Sequence, residues 1–302
     1  GYAMDANTTA ADNVAVGYNA LSGNTTGANN SAIGYQALRD NTTASSNTAV
    51  GYEALTANTA NYNVALGFVA GKANTTGDNN TAVGFQALAA NTCGSCNVAM
   101  GNLTMADNTT GSGNTALGRA ALNENTTGAC NVGVGYGALE SNTSGDWNVG
   151  VGRDALTSNT TGCNNVAVGG SALNDNTTGC HNTTIGHFAL ADNTTGKRNV
   201  ATGMISLRKN TTGCNNTASG YGALYCQTTA IRNTASGYKA LSCNTTANQN
   251  TAVGACSLYA NTTGASNTAV GHGALYSNGY GYGNTAVGMC TLRNNSCSGA
   301  KE

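Results

Sequence analysis

The chain has 302 residues, of which 42 are glycine, none is proline and only four are Phe or Trp; charged residues make up 8% and the net charge is −1. So few large apolar groups exclude a thick globular core, and the shortage of charge and proline sets the chain apart from disordered polymers. The neutral balance argues against nucleic acid or an anionic membrane as a partner, and no run of 18 apolar residues is present to span a bilayer.

Taken in order, the chain is one phrase of 17 residues repeated without a break: Gly-Tyr-x-Ala-Leu-x-x-Asn-Thr-Thr-Gly-x-x-Asn-Thr-Ala-Val. Its leading glycine recurs from Gly17, Gly34 and Gly51 through Gly67, Gly84 and Gly101 to Gly271 and Gly288. Every step is 17 except Gly51 to Gly67, which is 16; Gly1 opens an earlier copy, also 16 long. Fixed self-similarity at this period is the signature of a solenoid and overrides the two domains that length alone suggests. The expected fold is all-β, a β-solenoid (β-roll or β-helix) of about 18 coils that forms one continuous domain over 1–302. At strand spacing it would be a rod roughly 85 Å long.

Numbering each coil from its glycine, position 5 is Leu in 15 of 17 coils, with Gly71 and Met105 the exceptions. Position 17 is mostly Val, Ile or Leu, as at Ile33, Val50, Val83, Ile185 and Val253. These two ranks are the expected core, stacked coil on coil. Asn-Thr-Ala-Val before glycine reads as a short strand. With position 17 inward, period-2 alternation sends position 15 inward and the Ala of position 16 outward, where a flat rank would suit a second copy of the solenoid. The reversed phase, with Ala facing a cramped interior, stays open at this level. Tyr-x-Ala-Leu reads either as a second strand or as one helical turn.

Two asparagine ranks punctuate each coil. The strand-starting rank is Asn in all 17 coils, from Asn13 to Asn284, and position 8 is Asn in 16 of 17, with Gln227 the exception. Asparagine tolerates left-handed backbone, and stacked amides form ladders. The position 8 rank also spells a glycosylation sequon 13 times, at Asn7, Asn24, Asn41, Asn74, Asn108, Asn125, Asn142, Asn159, Asn176, Asn193, Asn210, Asn244 and Asn261. Covalent glycans on this column would supply solubility that the sparse charge does not. The competing reading is that the second Thr only caps the turn.

Eleven cysteines are best read by coil position. Cys163 and Cys180 share position 12 of adjacent coils, and Cys226 and Cys243 share position 7. Residues one coil apart stack at about 5 Å, inside the window for a disulfide. Cys256 and Cys290 share position 3 but are two coils apart, and Cys93 and Cys96 fall in one coil as Cys-Gly-Ser-Cys without a supporting metal set. Disulfides would place the chain outside the reducing cytosol.

The Asn-Thr-Ala-Val-Gly core at 47–51, 80–84 and 267–271 resembles the head repeats of trimeric autotransporter adhesins, and the longer phrase resembles repeats of tail-fibre-like surface proteins. The resemblance implies a β-roll, extracellular or cell-surface exposure and trimeric assembly. The coil here is longer than the adhesin repeat, and no heptad stalk or membrane anchor is present. The chain opens Gly-Tyr-Ala-Met-Asp, which reads as a processed or truncated piece.

The three histidines, His181, His187 and His272, form no triad or metal spacing, and the carboxylates scatter over coil positions, as at Asp40, Glu53 and Asp154. No phosphate loop or dinucleotide fingerprint occurs, so neither catalysis, a cofactor nor a metal is expected. The leading expectation is a non-catalytic extracellular structural protein that self-associates end to end, since neither end of the repeat shows a cap, and laterally or as a trimer. The runner-up is an adhesin head or tail-fibre shaft that binds a host or cell surface. An ice-binding solenoid comes third, because the consecutive threonines of position 9 and position 10 would point to opposite sides of a strand.

Overall fold

The computed structural model describes residues 2–295. Gly1, read above as a coil opening, and the end of the last coil at 296–302, with Cys297, lie outside the described residues. The chain divides into two compact units, 1–148 and 149–302.

The first unit is built on eight three-residue strands: β1 (Val14–Val16), β2 (Ser31–Ile33), β3 (Thr48–Val50), β4 (Val64–Leu66), β5 (Thr81–Val83), β6 (Val98–Met100), β7 (Thr115–Leu117) and β8 (Val132–Val134). Each pairs in parallel with the next, one coil on, so that Ala15 faces Ala32 and Ala82 faces Ala99. The 16-residue coil keeps this register, with Thr48 opposite Val64. The second unit repeats the scheme in β9 (Val149–Val151), β10 (Val166–Val168), β11 (Thr183–Ile185), β12 (Val200–Thr202), β13 (Thr217–Ser219), β14 (Thr234–Ser236), β15 (Thr251–Val253), β16 (Thr268–Val270) and β17 (Thr285–Val287). Its strands are also parallel and in register. The fold is the expected β-solenoid with one coil per 17 residues.

Position 5 lies inside, as the sequence predicts: Leu38, Leu122, Leu156 and Leu224 are wholly buried. The strand phase is the reverse of the favoured reading. Ala32, Ala99, Ala167 and Ala235, all position 16, are wholly buried, whereas Val16 is 59% exposed and Ile33 42%. The reason is space. A Cβ built on Gly133 would already stand 3.4 Å from Leu122 Cγ, so a methyl fills the gap between strand and leucine column. Thr184, the largest residue of this rank, is accommodated by donating its hydroxyl to the Val166 carbonyl at 3.0 Å.

The Tyr-x-Ala-Leu segment is neither a strand nor a helical turn. It is a run of turns with left-handed residues at position 3 and position 5, as at Gln36 (φ 54°) and Leu38 (φ 51°). Such backbone costs a non-glycine residue about 1–2 kcal/mol, offset here by burial of the leucine and by bonds to both neighbouring coils. Leu38 N–H donates to the Ala54 carbonyl at 3.1 Å and Gln36 N–H to the Tyr18 carbonyl at 2.9 Å. At position 1 only glycine fits. Gly118 has φ 127°, and a Cβ there would sit 2.5 Å from the Gly135 carbonyl oxygen.

The short coil has a visible cost. Asn41 Oδ1 and Asn47 Nδ2, both buried and facing it, have no hydrogen-bond partner, because the residue missing between Asn58 and Asn63 shifts the groups that would reach them. Asn58 turns its Nδ2 to the Ala60 carbonyl instead, at 2.7 Å.

Candidate functional site

Both asparagine ranks are interior ladders. In the strand-starting rank, Asn97 N–H donates to Asn80 Oδ1 (3.0 Å) while Asn97 Nδ2 donates to the Gly111 carbonyl (2.9 Å). In the position 8 rank, Asn108 Nδ2 donates to Asn91 Oδ1 (2.7 Å) and to the Gly111 carbonyl (3.0 Å). The first threonine of each Asn-Thr-Thr is structural as well: Thr109 Oγ1 donates to the Thr126 carbonyl at 2.9 Å.

This placement bears directly on the glycan column. Asn24, Asn41, Asn74, Asn108, Asn125, Asn142, Asn159, Asn176, Asn193, Asn210, Asn244 and Asn261 are all buried, with at most 2% exposure. In the folded coil a sugar on Nδ2 would have to displace a ladder bond and enter the core. Asn7 alone among the 13 is exposed, in the first coil described. Exposed sequon asparagines do exist elsewhere: Asn29, Asn79 and Asn215 at the position before the strand-starting Asn, and Asn102 at position 2. Reading Asn-x-Ser/Thr without regard to rank would have found them.

Ten described cysteines are thiols. Cys163 and Cys180 come together as their shared position predicts, with Sγ atoms 3.0 Å apart and Cys163 N–H donating to Cys180 Sγ at 3.2 Å. Burial, helped by the Cys163 contact, pushes the Cys180 thiol above its ordinary value. Cys226 and Cys243 occupy adjacent coils at one recess, and burial likewise raises Cys243. Exposed Cys93 is shifted the other way, by hydrogen bonds from Thr76 and Thr92. Gly273 separates Cys256 from Cys290 in the position 3 column.

What faces outward is a set of ladders. Strand positions 15 and 17 point away from the core throughout both units. In the first unit they carry Ile33, Leu66 and Met100, all more than 40% exposed. Beside them, across the bare glycine rank, Tyr18, Tyr35, Tyr52, Phe68 and Phe85 stack at 5.0–5.4 Å with planes within 6–11° of parallel. The ladder resumes at Tyr136, whose hydroxyl accepts from Arg119 Nη1 at 2.9 Å. In the second unit the strand face is smaller and more hydroxylated, with Thr217, Ser219, Thr234 and Ser236 exposed on β13 and β14.

The histidines sit in different coils, and His187 packs edge-on to Phe188 at 4.2 Å. Among the described residues no three of His, Cys, Asp and Glu converge to hold a metal, and no helix is long and apolar enough to cross a membrane. No family model matches the chain, and no curated protein is significantly similar to it.

Proposed function

We propose that the chain is a non-catalytic structural protein of an extracellular fibre or surface filament, and that it self-associates through its outward ladders. The observation that supports this most is the first unit's face, where a row of stacked aromatic rings runs beside a row of exposed aliphatic side chains. A continuous row of exposed apolar side chains marks a contact surface. A repeated face is best matched by another copy of the same repeat, since both share one spacing. The flat alanine rank drops out as that surface because it is interior. The resemblance to adhesin head repeats favours an extracellular site. Glycans, where the source attaches them, belong on Asn7, Asn29, Asn79, Asn102 and Asn215.

Electron micrographs of the native material test the proposal. Filaments or bundles with a lateral repeat support it; dispersed single particles at high concentration would defeat it.

A second reading rests on the other unit. There Thr217, Thr234, Thr251, Thr268 and Thr285 form one outward rank, and among the described residues their hydroxyls find no acceptor, unlike those of position 9. The hydroxyl rank on which an ice-ordering face would rest is therefore position 15, joined at position 17 by Thr202, Ser219 and Ser236, and not the Thr-Thr pair. Thermal hysteresis of a dilute solution would favour this reading; its absence removes it.

A further inference from the structure

We propose that the second unit carries a slot for one planar aromatic anion, walled by Tyr225 and Tyr259 and opened by Ser242 and Gly222. The slot is a vacancy in a ladder. Position 6 of successive coils holds Tyr225, Ser242, Tyr259 and Tyr276. Where this column is unbroken the rings stack: Tyr259 and Tyr276 lie 5.1 Å apart, 13° from parallel. In the position 2 column of the same coils, Tyr221 and Tyr238 stack at 5.5 Å. One coil step is thus one ring-to-ring step. Ser242 stands where a ring would be, so Tyr225 and Tyr259 are two strand spacings apart, roughly 10 Å. A ring placed midway would lie roughly 5 Å from each, inside the range in which aromatic pairs attract.

A second gap widens the first. In the position 3 column Gly222 lies between Ile205 and Lys239, and a Cβ there would meet nothing closer than Lys239 Cγ at 3.5 Å. The two missing side chains open a recess of about 270 Å³. Its walls are braced from outside. Lys209, from the preceding coil, holds its ammonium 5.4 Å from the centre of the Tyr225 ring, and Tyr276 stacks on Tyr259 from the following coil.

The lining selects charge as well as shape. Lys239 contributes an ammonium, and no carboxylate lines the recess. That cation rests 5.4 Å from the Tyr238 ring, with no carboxylate partner among the described residues. The Cys226 and Cys243 thiols supply a soft, polarisable lining of the kind that packs well against ring edges. A flat aromatic carboxylate satisfies all three features: its ring enters between the tyrosines, its edge meets the sulphurs, and its carboxylate reaches Lys239. A saturated ring has no π face to stack on the tyrosines, and a cationic ring meets like charge. The slot requires only these coils of the second unit, so it stands whether or not the chain forms filaments.

The test is a calorimetric titration of the full chain with 2-naphthoate at neutral pH. Saturable binding of one molecule per chain is expected. Cyclohexanecarboxylate and 2-naphthylmethylammonium should each bind at least about tenfold more weakly, the loss of one good contact. Ser242→Tyr refills the ladder with the residue of the coils on either side, so it should abolish binding while the circular dichroism spectrum and thermal midpoint are retained. Lys239→Gln should weaken naphthoate about tenfold and leave neutral 2-naphthalenemethanol unchanged. Tyr225→Leu, which removes one wall, should weaken both. Absence of naphthoate binding, equal binding of cyclohexanecarboxylate, or undiminished binding by folded Ser242→Tyr would overturn the proposal.

Discussion

Asn125 Nδ2 donates to Asn108 Oδ1 at 2.7 Å, and both side chains are wholly buried. The same amide donates to the Gly128 carbonyl at 2.9 Å, and its Oδ1 accepts from Asn142 at 2.8 Å. Three coils are joined at one residue, so the amide is structural before it is anything else. Asn125→Ala removes the donor to Asn108 Oδ1 and the acceptor for one Asn142 N–H, while the Gly128 carbonyl keeps its bond from Asn114 Nδ2. At about 1–3 kcal/mol for each buried group left unpaired, a loss of about 3 kcal/mol is a conservative expectation. Asn102→Ala, on the surface, should stay within about 0.5 kcal/mol. Denaturant midpoints of the two variants separate the cases; a silent Asn125→Ala would refute the ladder's role.

The same geometry predicts where sugars go. Expressed through a eukaryotic secretory pathway, folded protein should carry glycans at Asn79 and Asn102 and none at Asn108 or Asn125. Peptide mapping by mass spectrometry reads this directly. A sugar on Asn125 of folded chain would contradict the interior ladder.

The cysteines should separate by pH. A thiolate is the reactive form, so a lowered pKa means reaction at lower pH. Cys93 is exposed and shifted down by its threonine hydrogen bonds, whereas burial shifts Cys180 and Cys243 up. With iodoacetamide near neutral pH, Cys93 should be alkylated well before Cys180 and Cys243, the latter two catching up only as pH rises. Under an oxidant such as oxidised glutathione, Cys163 and Cys180 should lose two protons and two electrons to join as a disulfide, the oxidant being reduced to two thiols. Recovery of Cys180 as the fastest-labelled residue, or of the pair as free thiols after prolonged oxidation, would count against this assignment.

Much of the fold was legible because the repeat writes the same instruction 17 times. The leucine of position 5 and both asparagine ladders follow from residue type and period alone. The strand phase did not, because a three-residue strand offers one inward side chain and two outward ones. Val168 looks more like core than Ala167, and only the width of the coil decides between them. The turn conformation was hidden for a similar reason: nothing in Leu38 announces a φ of 51°, which is imposed by stacking on the coils to either side. Sequons were legible as strings but not as surfaces, since Asn125 and Asn79 differ only in where the coil turns them.

The phase correction makes its own prediction. Ala167 is wholly buried against the leucine column, so Ala167→Val should overpack and cost about 1–3 kcal/mol. Val168→Thr on the outward side should be nearly neutral. Leu156→Ala opens a cavity and should cost about 2–5 kcal/mol, while Asp154→Asn, half-buried and beside Arg153, should fall within about 0.5 kcal/mol. Thermal melts of the four variants rank them; a neutral Ala167→Val together with a costly Val168→Thr would restore the opposite phase.

The last prediction concerns assembly. Tyr35 stacks between Tyr18 and Tyr52 at 5.3 and 5.0 Å, and Ile33 lies two residues before it on the far side of Gly34. Both side chains are about 40% exposed, so a charge at either position has room to turn to solvent without disturbing the coil. Ile33→Lys and Tyr35→Lys together should leave circular dichroism unchanged, because neither residue contributes to the leucine column or the asparagine ladders. Lateral contact at this point would then require burying two ammonium groups from each chain, which is costly without partners. Sedimentation and electron microscopy should find wild-type chains associating with rising concentration and the double variant shifted towards single chains. A control pair on the hydroxyl-rich face of the second unit, Thr234→Lys with Ser236→Lys, should associate as the wild type does. If the control disperses and the first-unit variant does not, the contact lies on the other face; if neither changes the assembly, the outward ladders are not what holds it together.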